Sequence, residues 1–175
     1  MASQRVVSWF ALTVFKDMPG LIRSLSEAGK ETYRAFAVEE KQTKGGPVYK
    51  EVPLIARLLF VRCSMDWLKI YKQEHNDQFM YYRDLLTGEP GAINEREMEV
   101  FRQVTSLRGN TDVRFLGPDK PEYHKGDRVR VKEGVYKGAE GYIKRIQKSR
   151  DLLVCIEGVA VVAISNIKPE FLEKV

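Results

Sequence analysis

The sequence predicts an α+β fold in which an N-terminal antiparallel sheet with packed helices precedes a small β-barrel, and three observations carry that prediction. β-rich runs and amphipathic helical segments are closely mixed through the first part of the chain. Glycine, proline and polar residues then replace that pattern from Arg108 to Tyr123. Short β-rich runs separated by turn residues fill the remainder. The chain has 175 residues, enough for one large or two small domains, and the composition change places the boundary. The expected division is 1–107, a linker at 108–123, and 124–175.

The first β-rich run is Trp9 to Phe15. Asp17 follows as a helix N-cap, then Leu21, Ile22, Leu25 and Ala28 recur at helical spacing, and Gly29 is placed to end that helix. Tyr33 to Glu39 has β-type alternation, Lys44-Gly45-Gly46-Pro47 is a loop tip, and Val52 to Cys63 returns as a long apolar run. Ser64 caps a second helix with Trp67, Leu68 and Tyr71 on one face. Phe79 to Arg83 reads as a short strand, and Asn94 with Glu97 forms a capping box ahead of Met98, Phe101 and Thr105. Beyond the linker, Arg128–Val131, Gly141–Ile146, Leu152–Glu157 and Ala160–Ile164 are the expected barrel strands.

Charge is local. The net charge is +5, and the stretch from Lys125 to Asp151 holds nine basic side chains against Asp127, Glu133, Glu140 and Asp151, an excess equal to that of the whole chain. An anionic partner for this region is the implication. The two cysteines, Cys63 and Cys155, each lie in an apolar run without CxxC or Cys/His ligand spacing. They are expected as buried reduced thiols, with no metal and no cofactor, in a reducing cytoplasm. No signal peptide or membrane-spanning run is read, since Glu157 and Gly158 break the longest apolar stretch.

Enzyme motifs are missing. The sequence has no HExxH, GxSxG, GxxxxGK[ST] or strand-following GxGxxG, and His75 and His124 flank polar segments expected at the surface. Glu95 and Glu97 are two apart on a helix and do not share a face, which suits capping better than acid–base work. The expected function class is binding rather than catalysis.

The string Val129 to Ile143, with Gly134, Gly138 and Gly141 between two β-rich runs, resembles the KOW motif. Val135 stands where proline is common in that motif and Tyr136 where phenylalanine is. KOW domains also occur in ribosomal proteins and other RNA binders. Upstream, Ser8-Trp9-Phe10-Ala11-Leu12, Leu59-Phe60-Val61 and Gly88 to Ile93 resemble the NusG N-terminal domain, and Gly88 to Phe101 is similar to the UpxY-type specialised antiterminators. Together the two resemblances cover nearly the whole chain.

The resemblance implies a monomeric transcription elongation or antitermination factor whose N-terminal domain binds the clamp of the largest RNA polymerase subunit and suppresses pausing or termination. Strand alternation puts Trp9, Ala11 and Thr13 on one face of the first strand, and Leu58 with Phe60 on one face of the central strand. With Tyr82, the residues Trp9, Thr13, Leu58 and Phe60 are the implied polymerase contacts. Phe10, Leu12, Val14, Leu59 and Val61 form the opposite, helix-facing side. Arg57 stands where the family strand often has glycine or another small residue. Lys16 and Arg23, together with the lysines of the Lys41 to Lys50 loop, lie on the side that approaches non-template DNA. Arg130, Lys132, Lys137, Lys144 and Arg145 are the cations with which the barrel would meet nascent RNA. Ribosomal protein or a termination factor is the other partner type implied for the KOW domain. The competing reading is a KOW-containing RNA-binding or ribosome-associated protein that never meets polymerase.

Overall fold

The computed structural model describes residues 6–106, 112–146 and 149–175. The fold is α+β, with three α-helices and antiparallel sheets of four, six and two strands among the described residues. Two compact units are formed, one from residues 1–34 and 56–95, the other from 35–55 and 96–175. Among the described residues no helix is long and apolar enough to cross a membrane.

The first unit is built on β1 (Val7–Val14), α1 (Met18–Glu27), β2 (Glu31–Tyr33), β5 (Leu58–Ser64), α2 (Met65–Glu74) and β6 (Phe79–Tyr81). Its sheet order is β2-β5-β1-β6, entirely antiparallel, so the first strand of the chain is central. Phe10, Leu12, Val14, Leu59, Val61 and Cys63 alternate onto one face and pack with Leu21 and Leu25 of α1, Leu68 and Tyr71 of α2, and Phe79. Each large apolar side chain fully buried there contributes about 1.5–3 kcal/mol. The expected helix-facing side is the observed one.

Local chemistry sets the helix ends. Asp17 accepts from the Gly20 N–H at 3.1 Å, and Pro19 fits the first turn, where no intrahelical donor is needed. At the other end Gly29 takes φ 74°, while the Lys30 N–H bonds back to the Leu25 carbonyl at 2.9 Å. Ser64 Oγ accepts from the Trp67 N–H at 3.2 Å and starts α2. Tyr71 then donates its hydroxyl to Ser24 Oγ at 2.8 Å, tying α2 to α1. His75, expected at the surface, is half-buried with its ring stacked 3.9 Å from that of Tyr71.

In the second unit, β3 (Phe36–Thr43) and β4 (Gly46–Pro53) form a two-stranded hairpin with its turn at the expected glycines. The apolar run Val52 to Cys63 therefore splits: its first residues end β4, and the strand proper starts at Leu58. The break coincides with Arg57, held at φ 64°. A left-handed residue cannot continue a strand, and this conformation explains why a glycine would suit the position.

Helix α3 (Glu95–Thr105) buries Met98, Val100, Phe101, Val104 and Thr105. The six-stranded sheet runs β12-β8-β9-β10-β11-β7, with β7 Val113–Gly117, β8 Arg128–Val131, β9 Glu140–Ile146, β10 Ser149–Ile156, β11 Ala160–Ile164 and β12 Leu172–Lys174. The four expected runs are its central strands β8 to β11. Within the stretch expected as a linker, Val113–Gly117 is instead an edge strand and Pro121–His124 a 3-10 turn. The preceding part of that stretch, up to residue 111, lies outside the described residues. Leu153, Cys155, Val161 and Ala163 form a core beneath Leu116, Tyr123 and Tyr142. Asp151 is fully buried on β10 and is bonded by Arg114 of β7 at 2.6 Å, which supplies the opposite charge a buried carboxylate requires.

The Gly134 to Gly141 segment has the tight turn its composition predicts. Gly138 sits at φ 92°, its N–H bonds the Val131 carbonyl at 2.8 Å, and the Ala139 carbonyl accepts from Val131 at 2.9 Å. Tyr136 is buried within the turn. At Gly141 the constraint is space: a Cβ there would run into the Leu153 carbonyl oxygen of the neighbouring strand.

Candidate functional site

The register of the first sheet brings the implied polymerase contacts onto one face. Ala11 is directly opposite Phe60, Thr13 is opposite Leu58, and the Tyr82 N–H bonds the Ala11 carbonyl at 2.9 Å from the other side of β1. Phe60, Ala11 and Tyr82 thus form a row across three chain segments, with the small alanine between two aromatic residues. Trp9 extends the face along β1, where it bridges to Ile93.

Trp9, Leu58 and Phe60 are buried, while Thr13 and Tyr82 are half-buried. Two residues outside the sequence-level set join this face. Tyr33 of β2 is opposite Phe60, with ring centroids 6.4 Å apart, and Met80 is opposite Thr13. The alternation of β2 and β6 was available as a signal for both, but three-residue strands give it little length. The Lys69 to Glu89 ion pair, 2.6 Å, holds the segment after Tyr82 against α2.

The expected nucleic-acid contacts divide by environment. In the first unit, Lys16 is paired with Asp77 at 2.6 Å, and that ammonium holds the Asp77 carboxyl below its usual value, through the hydrogen bond first and the charge second. Arg23 is exposed on α1. The β3–β4 hairpin, which belongs to the second unit, carries Lys41, Lys44 and Lys50, but Glu39, Glu40 and Glu51 balance them, with Glu39 directly across from Lys50. Its expected positive character is offset within the hairpin itself.

In the second unit, Arg130 is committed to Glu140 at 2.9 Å and approaches Glu173 at 3.8 Å; Arg128 reaches Glu140 at 3.2 Å. Lys144 lies over the Tyr123 ring at 4.8 Å. Lys132 and Lys137 are exposed at the glycine turn. Arg145 is directly opposite Arg150 across β9 and β10, an unfavourable like-charge placement that an anion would relieve. Both arginines line a groove of about 400 Å³ with Lys174, Asp127 and Glu173, floored by Val129, Ile143 and Leu172. Arg150 and Lys174 were not singled out in the sequence because their proximity to Arg145 depends on strand pairing.

Elsewhere in the second unit, Asp119, His124 and Cys155 come together. Glu97, expected as a capping residue, is half-buried there and accepts from the Glu157 N–H at 3.5 Å. Burial, and after it the charges of Glu157 and Asp119, raises its carboxyl above the usual value, against the lowering effect of that hydrogen bond.

No family profile matches the chain, and no curated protein matches it. Among solved structures, one described as domain interaction in Thermotoga maritima NusG is similar to this chain with 15% identity and a TM-score of 0.48, covering 97% of this chain and 98% of that one.

Proposed function

We propose that this chain is a NusG-like transcription elongation or antitermination factor, a binding protein rather than an enzyme, that engages the clamp of the largest RNA polymerase subunit. The observation that carries this reading is the second apolar face of the N-terminal sheet. A sheet packed by helices on one side needs only that side apolar, yet here Trp9, Ala11, Leu58 and Phe60 also give the reverse side, which includes Thr13 and Arg62, an apolar centre. A cluster of aromatic and aliphatic side chains is the chemistry that anchors a protein partner.

In this reading residues 1–107 contact polymerase, and residues 124–175 carry a second partner such as RNA, ribosomal protein or a termination factor. The resemblance of Gly88 to Phe101 to UpxY-type proteins favours an operon-specific role in the cytoplasm.

The test is retention of core RNA polymerase by the immobilised full chain. Wild type is expected to retain it, and Phe60→Ala is expected to weaken binding by about 1–3 kcal/mol, roughly fivefold to somewhat over a hundredfold, with the circular dichroism spectrum preserved. Failure of the wild-type chain to retain polymerase would remove the assignment. The Arg145–Arg150 groove supports a second reading, an RNA-binding protein that does not meet polymerase. That reading predicts salt-sensitive binding to single-stranded RNA without polymerase retention.

A further inference from the structure

Asp119, His124 and Cys155 come from three separate places: the segment after β7, the end of the 3-10 turn and the end of β10. One donor atom from each lies within 4.8 Å of the other two. His124 Nε2 and Asp119 Oδ1 are 2.8 Å apart, and the other carboxylate oxygen, Oδ2, accepts from the Gly158 N–H at 3.0 Å. That backbone bond fixes the orientation of the carboxylate. The Asp119 side chain is 7% exposed and Cys155 8%, whereas the His124 ring is 30% exposed, leaving a route from solvent. The edge of Tyr142 packs 5.1 Å from the His124 ring.

We propose that Cys155, His124 and Asp119 form a divalent transition-metal site of the zinc type. Thiolate, imidazole and carboxylate are the three ligand classes that zinc takes, and a mixed set of this kind favours zinc over the hard oxygen-seeking cations. Metal–donor bonds of about 2.0–2.3 Å in a tetrahedron hold donors about 3.3–3.8 Å apart. The His124–Asp119 pair must open slightly, and the widest separation in the cluster must close by about 1 Å. Cys155 gives up its thiol proton to solvent as the metal–sulfur bond forms, and the proton between His124 Nε2 and Asp119 moves by way of solvent to His124 Nδ1, leaving Nε2 and the carboxylate to the metal.

Glu97 of α3 stands outside this three-donor group, its carboxylate accepting from the Glu157 N–H at 3.5 Å, so a water fills the fourth position. Bound metal would fasten the segment between β7 and β8 to the underside of β10, a structural role.

The experiment is Co²⁺ titration of the reduced, chelator-treated full chain, followed by Zn²⁺ competition. Wild type is expected to take up one equivalent with near-ultraviolet thiolate-to-cobalt absorption and visible tetrahedral bands, both erased by Zn²⁺. Cys155→Ser is expected to lose the near-ultraviolet band, His124→Gln to weaken binding by about tenfold or more, and Cys63→Ser to leave both unchanged. If Cys155→Ser does not fold, the half-exposed His124→Gln decides. A wild-type chain without the thiolate band, or a band undiminished by His124→Gln, would overturn the site.

Discussion

Arg57 occupies a left-handed conformation, φ 64°, immediately before the central strand, and its carbonyl accepts from the Val14 N–H at 2.8 Å. An L side chain there costs about 1–2 kcal/mol, whereas glycine gives back about 0.5–1 kcal/mol in unfolded-state entropy. Arg57→Gly is therefore expected to stabilise the chain by about 0.5 kcal/mol, read as a higher urea midpoint; a lower midpoint would show that the arginine side chain contributes more than its backbone costs. The glycines of the β8–β9 turn separate two effects. Gly138 has open space and only its positive φ to defend, so Gly138→Ala is expected to cost about 1 kcal/mol. At Gly141 a Cβ meets the Leu153 backbone, so Gly141→Ala is expected to cost on the order of 3 kcal/mol and to shift the β9–β10 register signals in NMR spectra.

Among elements, Glu140 at the start of β9 faces Arg128 and Arg130 of β8 and lies 4.0 Å from Arg96 of α3. The Arg130 hydrogen bond, followed by the charges of Arg130, Arg128 and Arg96, holds its carboxyl below the ordinary 4.5, against the opposing effect of burial. The folded value lies below the unfolded one, so the unfolded chain takes up the proton first on acidification. The stabilising contribution is present above about pH 4.5 and is lost as pH falls through the folded value. Glu140→Gln should flatten the decline of chemical-denaturation stability between about pH 5 and pH 3, and an unchanged slope would assign that decline to other carboxylates. Helix α3 is fastened to the same turn from its own side: Arg96 donates to the Gly138 carbonyl at 2.8 Å and Gln103 to the Lys137 carbonyl at 2.7 Å.

At the scale of the whole molecule, what the sequence discloses follows the range of the interaction. Asp17, Gly29 and Ser64 act within one turn of their own position, and alternation along β1 and β5 separates Phe10, Leu12 and Val14 from Trp9, Ala11 and Thr13 without knowledge of any partner. Strand β7 escaped because Arg114 and Phe115 are exposed on an edge and Gly117-Pro118 give the segment a loop composition. The pairing of Arg145 with Arg150, the burial of Asp151 beneath Arg114, and the meeting of His124 with Cys155 all arise from strand register, which no local spacing encodes. The row of Phe60, Ala11 and Tyr82 was legible as one of two alternating faces, while its burial was not, because alternation shows only which residues share a face.

The central place of β1 has a consequence for synthesis. Both of its neighbours in the sheet, β5 and β6, are translated after it, and the 35–55 hairpin is made in between. While the ribosome is still adding that hairpin, β1 has neither hydrogen-bonding partner, and the run Trp9-Phe10-Ala11-Leu12 is an apolar strand with two open edges. The nascent chain is thus most vulnerable to aggregation over the interval before Leu58–Ser64 emerges. A holdase that covers Trp9 to Leu12 until Leu58–Ser64 emerges would protect the yield of folded protein over that interval.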